Sequence, residues 1–373
     1  MIPPSSIRFP LAMALLFAAG CAAPPPLRQT PLSQNELDPF LASGRDAREL
    51  GITIYPAPAG TRFANANRPH AERTAQLDFV SPRNSPRPVV NLETPLADRP
   101  FPVLLDSSAR QNWAVMSSLR ALDFRAFKPP LGEYADHVVA DIPGYAGAGN
   151  TLIFDTLHVE YPVFHVPPAR GGLGPLARVA EEEADRRPGA PPAPGLTQAR
   201  RMPAVVGASL LQSFAGYVRF DFPGRSVGFS SSGTYRPAGA VLANLPMRDW
   251  RGRPAIQAAL DGEPVTLVID TAGDFDLAVP GEVPAGATGT LVLGAWAIEE
   301  AGIAAHAALG LPEDFPARLG LGLLARAAVT LDFKNRRVWF EGKALPGAEK
   351  SGTSSGDETA EDEAPVHYRG ITR

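Results

Sequence analysis

With 373 residues, the chain is long enough for roughly two ordinary domains, and its 45% apolar and 20% charged residues are ordinary for a globular protein. The formal charge of −4 argues against a nucleic-acid partner, since it implies no broad basic patch. No apolar run reaches the roughly 20 residues required to span a bilayer as a helix.

The first predicted element is a short apolar run, Leu11–Gly20, preceded by Arg8 and followed by Cys21, the single cysteine of the chain. That length and flank suit a signal-peptide core over residues 1–20. Ala18-Ala19-Gly20-Cys21 resembles the bacterial lipobox, although Leu is more usual at the first position. The resemblance implies cleavage before Cys21 and lipid attachment to it, giving membrane anchorage in the bacterial cell envelope. By the same resemblance, Ala22 after the cysteine implies sorting to an outer membrane, facing the periplasm. With one cysteine there is no intramolecular disulfide, so the fold must rest on its core.

Residues 21–45 are Pro-rich and polar and read as a tether. A mainly β region follows, in which short runs rich in Val, Ile, Leu, Phe and Thr alternate with Gly and Pro. Strands are expected at Pro102–Leu105, His137–Ala140, Thr151–Phe154, His158–Val163, Tyr217–Phe222, Ser226–Phe229, Ile256–Leu260, Pro264–Ile269, Thr290–Leu293 and Val329–Phe333. Short helices are expected at Ser209–Phe214, Ala297–Leu309 and Gly322–Ala327. Thr74–Val80 and Pro86–Glu93 also read as strands, completing a first lobe over 46–233. Within that lobe, 167–201 reads as a surface insertion; a second lobe follows over 238–342. Residues 343–373 read as a disordered acidic tail.

The two lobes repeat one another. Phe101–Val115 (FPVLLDSSARQNWAV) and Val265–Val279 (VTLVIDTAGDFDLAV) each run an apolar strand into Asp, then small residues, then Ala-Val. Downstream, D-F-x-x-R-x-V-x-F occurs twice, from Asp221 and from Asp332. Each copy ends in a hairpin, turning at Pro223-Gly224 or Lys334-Asn335. A repeat carrying one Asp per copy at a strand end suggests facing lobes with the two carboxylates at their seam.

These motifs resemble the aspartic protease families, retroviral-type and bilobal pepsin-type, whose mark is two apolar residues, Asp, Thr or Ser, and Gly, once per lobe. Here the copies are Leu104-Leu105-Asp106-Ser107-Ser108 and Val268-Ile269-Asp270-Thr271-Ala272. A second family element, an apolar pair before Gly and a short helix, fits Val205-Val206-Gly207; in the second lobe Gly320 or Gly322 serves. The resemblance covers most of 95–342. It implies a bilobal fold of closed barrels, and a catalytic dyad of Asp106 and Asp270 with Ser107 and Thr271 locking the turns together. It also implies Gly207 and Gly320 behind the site, a polypeptide substrate and no cofactor. Tyr145 is a candidate flap residue, and the internal pseudo-twofold suits a monomer. Both copies depart from the family at the Gly, having Ser108 and Ala272. A Cβ there is expected to press on the turn and on the N–H that orients the carboxylate. Two functions of different class follow: an endopeptidase, or an inactive homologue that binds a peptide or protein in the same cleft.

Other chemistries lack their motifs or the setting those motifs need. G-x-S-x-G occurs at Gly224–Gly228, in the hairpin after Asp221, and at Gly352–Gly356, in the acidic tail, but neither stands between a strand and a helix as a nucleophile elbow requires; H-E-x-x-H and G-x-x-x-x-G-K-[ST] do not occur. His158 and His165, seven apart on an apparent strand interrupted by Pro162, are expected to point to opposite faces, so no metal site is expected.

Overall fold

The computed structural model describes residues 44–55, 62–70, 73–127, 145–166, 202–311 and 313–344, with a few isolated positions before 44 and Ala169–Arg170. The signal peptide, Cys21, most of the tether, the strand expected at His137–Ala140, most of the 167–201 insertion and the acidic tail beyond 344 lie outside these residues.

Among the described residues the protein is mainly β. The first half contains β1 (Thr53–Tyr55), β2 (Arg62–Ala64), β3 (Thr74–Asp78), β4 (Val89–Leu92), β5 (Phe101–Asp106), β6 (Trp113–Ala114) and β7 (Arg125–Ala126). It continues with β8 (Tyr145–Ala148), β9 (Thr151–Phe154), β10 (Leu157–Glu160), β11 (Val163–Val166), β12 (Ala204–Gly207), α1 (Ala208–Leu211), β13 (Tyr217–Asp221) and β14 (Ser226–Ser230). The second half contains β15 (Gly239–Pro246), β16 (Arg248–Trp250), β17 (Arg253–Leu260), β18 (Glu263–Ile269), β19 (Leu277–Val279), β20 (Thr288–Leu293) and β21 (Trp296–Ala305). It ends with α2 (His306–Leu309), β22 (Ala317–Leu319), α3 (Leu321–Leu324), β23 (Ala328–Asp332) and β24 (Arg337–Ala344).

In the second half β17-β18-β22-β19-β21-β20 closes on itself through the β17–β20 pairing, a six-strand barrel. The first half repeats the order as β4-β5-β12-β6-β11-β8, with β7 beyond β8, and an isolated bridge from Glu93, just after β4, reaches Ile153 of β9, which pairs with β10 in a separate sheet. Barrel closure in the second half leaves few open edges, and the interior is lined by the alternate residues of its strands. A six-stranded antiparallel sheet, β15-β24-β23-β13-β14-β3, contains strands of both halves. At its centre Tyr217 pairs with Asp332 and Asp221 with Ala328, so the equivalent strands β13 and β23 cross the pseudo-twofold directly.

The D-F-x-x-R repeat is a turn device. Asp221 accepts the Gly224 N–H at 2.8 Å and Asp332 the Asn335 N–H at 3.0 Å, and both turns end on an arginine with positive φ, Arg225 and Arg336. One apolar core runs through both halves and the shared sheet, with Leu105, Val206, Phe214, Phe220, Ile269, Leu319, Val329 and Phe340 all buried. Residues 74–92 take part in it: β3 is an edge of the six-stranded sheet and β4 pairs with β5.

Two expectations are corrected. Ala297–Leu309 is not one helix: Trp296–Ala305 is strand, and only His306–Leu309 is helical. Its Ala-rich composition favours helix locally, but pairing with β20 and β19 supplies its hydrogen bonds and overrides that propensity. His158 and His165 do not share a strand; they lie in β10 and β11 on either side of the turn at Tyr161-Pro162.

Candidate functional site

Each Asp ends an apolar strand that the barrel buries on both sides, so its carboxylate enters the protein rather than solvent. Asp106 is 2% exposed and Asp270 fully buried. Beside each lies the strand that ends in the glycine behind the site. Gly207 pairs in parallel register with Asp106, and Leu319, next to Gly320, pairs with Ile269.

Ser107 and Thr271 join the two turns reciprocally. The Ser107 N–H donates to Thr271 Oγ1 at 2.9 Å, and the Thr271 N–H donates to Ser107 Oγ at 3.3 Å. Each hydroxyl then donates to the carbonyl before the opposite Asp: Ser107 to Ile269 at 2.6 Å and Thr271 to Leu105 at 2.9 Å. Four buried bonds therefore fix one strand end against the other, with every backbone group in the lock satisfied.

The carboxylates are oriented by the turns. Asp106 Oδ1 accepts from Ser108 N–H at 2.9 Å, Ser108 Oγ at 2.8 Å and Ala109 N–H at 3.2 Å. Asp270 Oδ1 accepts from Ala272 N–H at 3.1 Å. Hydrogen bonds to carboxylate oxygens are strong, charge-assisted ones. The expectation that a Cβ at Ser108 or Ala272 would disturb this turn is corrected. Both N–H bonds are made, and neither residue has positive φ, so the turn does not call for glycine there. Ser108 adds a hydroxyl bond that glycine would not provide.

The glycines behind the site are obligatory. Gly207 and Gly320 share nearly the same backbone, φ −96° and ψ −176° against φ −99° and ψ −177°. An added Cβ would stand 2.1 Å from the Gln111 carbonyl oxygen in one and 2.3 Å from the Phe275 carbonyl oxygen in the other. The second-half choice therefore falls on Gly320. Asn112 braces the first turn: its Oδ1 accepts the Gly207 N–H at 2.9 Å, and its Nδ2 donates to the Val163 carbonyl at 2.8 Å. Tyr145 begins β8, paired with Val166, so its backbone belongs to the first-half sheet.

Three buried arginines adjoin this seam, and the motif reading missed all of them. Arg318 Nη1 lies 3.5 Å from Asp270 Oδ2, with both side chains fully buried. Arg253 Nε donates to the Ser108 carbonyl at 2.7 Å, crossing from the second half to the first. The two guanidiniums flank one ring, Arg318 at 4.0 Å and Arg253 at 5.0 Å from the Phe315 centroid, and Phe315 packs edge-on against Trp250 at 4.1 Å. Arg110 is the third. Comparing the repeats position by position singles out Arg318, which stands where the first half has Val205, and Arg110, which stands where the second half has Asp274, but not Arg253, whose counterpart is also an arginine, Arg87.

No group of three or more His, Cys, Asp or Glu that would hold a metal occurs among the described residues. No family model and no curated protein matches this chain. Among solved structures, basic 7S globulin from soybean is similar over 74% of this chain and 96% of its own, at 13% identity and a TM-score of 0.46, a distant neighbour.

Proposed function

We propose that the chain is an envelope-anchored aspartic endopeptidase that hydrolyses peptide bonds with a water activated between Asp106 and Asp270. The observation that carries this reading is the reciprocal lock of Ser107 and Thr271, which ties two equivalent Asp turns to one seam. In the reaction, one carboxylate accepts a proton from water as it attacks the peptide carbonyl. The other donates a proton to the developing oxyanion, and the tetrahedral species collapses with the proton passed to the leaving amine. The lipobox-like run ending at Cys21 supports an anchored protein acting on polypeptide outside the cytoplasm. The test is incubation of a soluble form starting after Cys21 with a mixed peptide library over roughly pH 4 to 8. Cleavage lost in both Asp106→Asn and Asp270→Asn supports the reading; no cleavage by the folded wild type overturns it.

The Arg318–Asp270 ion pair favours a second reading, an inactive homologue that binds a peptide or protein partner between the halves. A proton-sharing dyad relieves the repulsion of two carboxylates with one proton; here a buried guanidinium beside Asp270 offsets that repulsion by its own charge. Capture of library peptides by an uncleaving wild type, retained in Asp270→Asn, would support this reading.

A further inference from the structure

The pseudo-twofold places Arg87 and Arg253 at equivalent positions, two residues before Val89 and Ala255, which pair with Leu104 and Val268. It likewise places Arg110 opposite Asp274, each four residues after its Asp. In one direction the seam closes with unlike charges: Arg87 grips Asp274 with two bonds, the Nε one at 3.0 Å. In the other direction Arg110 replaces the acid, and Arg253 turns away to the Ser108 carbonyl and the Phe315 ring.

A cavity of about 300 Å³ stands there, between the β1–β2 hairpin, the turn after Asp106, α1 and the β16–β17 turn. Arg62 and Arg110 line it together with Asn67, Gln111, Ser209 and Ser213, and no acidic side chain does so among the described residues. Ser209 Oγ is sealed from solvent and has no hydrogen-bond partner among the described residues. Gln212 fixes the far wall by donating to the Gly252 carbonyl at 3.0 Å. The positive field extends inward: His165, behind the Phe63 wall at 5.8 Å between ring centroids, is held uncharged by burial first and by the Arg110 charge second.

We propose that this cavity is a binding site for a small oxyanion, a phosphate or carboxylate group, gripped by Arg110 and Arg62 with the Ser209 hydroxyl donating. Guanidinium forks suit planar carboxylates and tetrahedral phosphates alike. The site shares the turn after Asp106 with the dyad but takes its ligand on the side of Arg62, Arg110 and Ser209, so it does not require that peptide be cleaved.

The test is thermal unfolding of the full chain in inorganic phosphate, in succinate and in chloride at matched ionic strength. A ligand that binds only the folded state raises Tm in proportion to its affinity. Phosphate, succinate or both raising Tm above chloride supports the site and identifies the group. Arg62→Ala, an exposed position, and Ser209→Ala each then weaken the apparent Kd by roughly tenfold. Arg110→Gln abolishes the shift if it folds, and the other two variants carry the test if it does not. No shift over chloride, or a shift unchanged in both Arg62→Ala and Ser209→Ala, overturns the proposal. Asp270→Asn, whose turn does not line the cavity, binds as wild type does, so failure of the peptidase reading leaves this result unaffected.

Discussion

Arg318 and Val205 occupy equivalent places beside the two Asp turns, yet one is a guanidinium 3.5 Å from Asp270 Oδ2 and the other a buried aliphatic. The two carboxylates thus face different surroundings despite matching backbones. Asp106 has three donors on one oxygen; Asp270 has one N–H on Oδ1 and an arginine beside Oδ2. A buried ion pair costs much in desolvation, and removing one partner exposes that cost fully.

Arg318→Leu is therefore expected to destabilise the fold by about 3–5 kcal/mol, because it leaves Asp270 in the core without its cation. Adding Asp270→Asn to Arg318→Leu should recover most of that loss. Urea unfolding of the two singles and the double closes a mutant cycle. A single Arg318→Leu cost below about 1 kcal/mol would show that the pair is not what stabilises Asp270.

The cross-seam lock predicts an asymmetry between two similar changes at Thr271. Thr271→Val keeps the shape but removes the oxygen that accepts the Ser107 N–H and donates to the Leu105 carbonyl. Each orphaned buried group costs about 1–3 kcal/mol. Thr271→Ser retains both bonds and should cost about 1 kcal/mol or less, mainly for the lost methyl. Equal losses in the two variants would place the stabilisation in packing rather than in the lock.

Gly207→Ala and Gly320→Ala are expected to be severe, about 3 kcal/mol or more, because the new methyl meets backbone oxygens that cannot swing aside. Gly262→Ala is the control: Gly262 has φ +85° but nothing within 4 Å of the added carbon. Its cost should be that of a left-handed residue alone, about 1–2 kcal/mol. Chemical denaturation of the three variants ranks them directly.

Much of this was legible from residues 101–115 and 265–279, because a repeat constrains itself. The Asp turns, the hairpins after Asp221 and Asp332 and the glycine before α1 all have local signatures. What stayed hidden was tertiary. Arg318 reads as an ordinary polar residue until its register against Val268 sets it beside Asp270. Arg110 becomes informative only when aligned with Asp274 in the other copy. The strand Trp296–Ala305 is hidden for the same reason, since its Ala-rich composition favours helix and only its pairing with β19 and β20 makes it strand.

His165 supplies a pH test. It is 2% exposed, packed on Trp113 at 5.5 Å and Phe63 at 5.8 Å, and burial followed by the Arg110 charge lowers its pKa from 6.5 to about 3. The folded pKa lies below the unfolded one, so as pH falls the unfolded chain takes up the proton first. The contribution to stability is complete above about 6.5 and is lost progressively as pH drops toward about 3. His165→Phe keeps an aromatic in the same pocket and removes the titration. The difference in unfolding free energy between wild type and His165→Phe should therefore grow against the wild type as pH is lowered through that window. Parallel pH profiles for the two proteins would mean that His165 does not titrate differently on folding, and that the Arg110 field does not reach it.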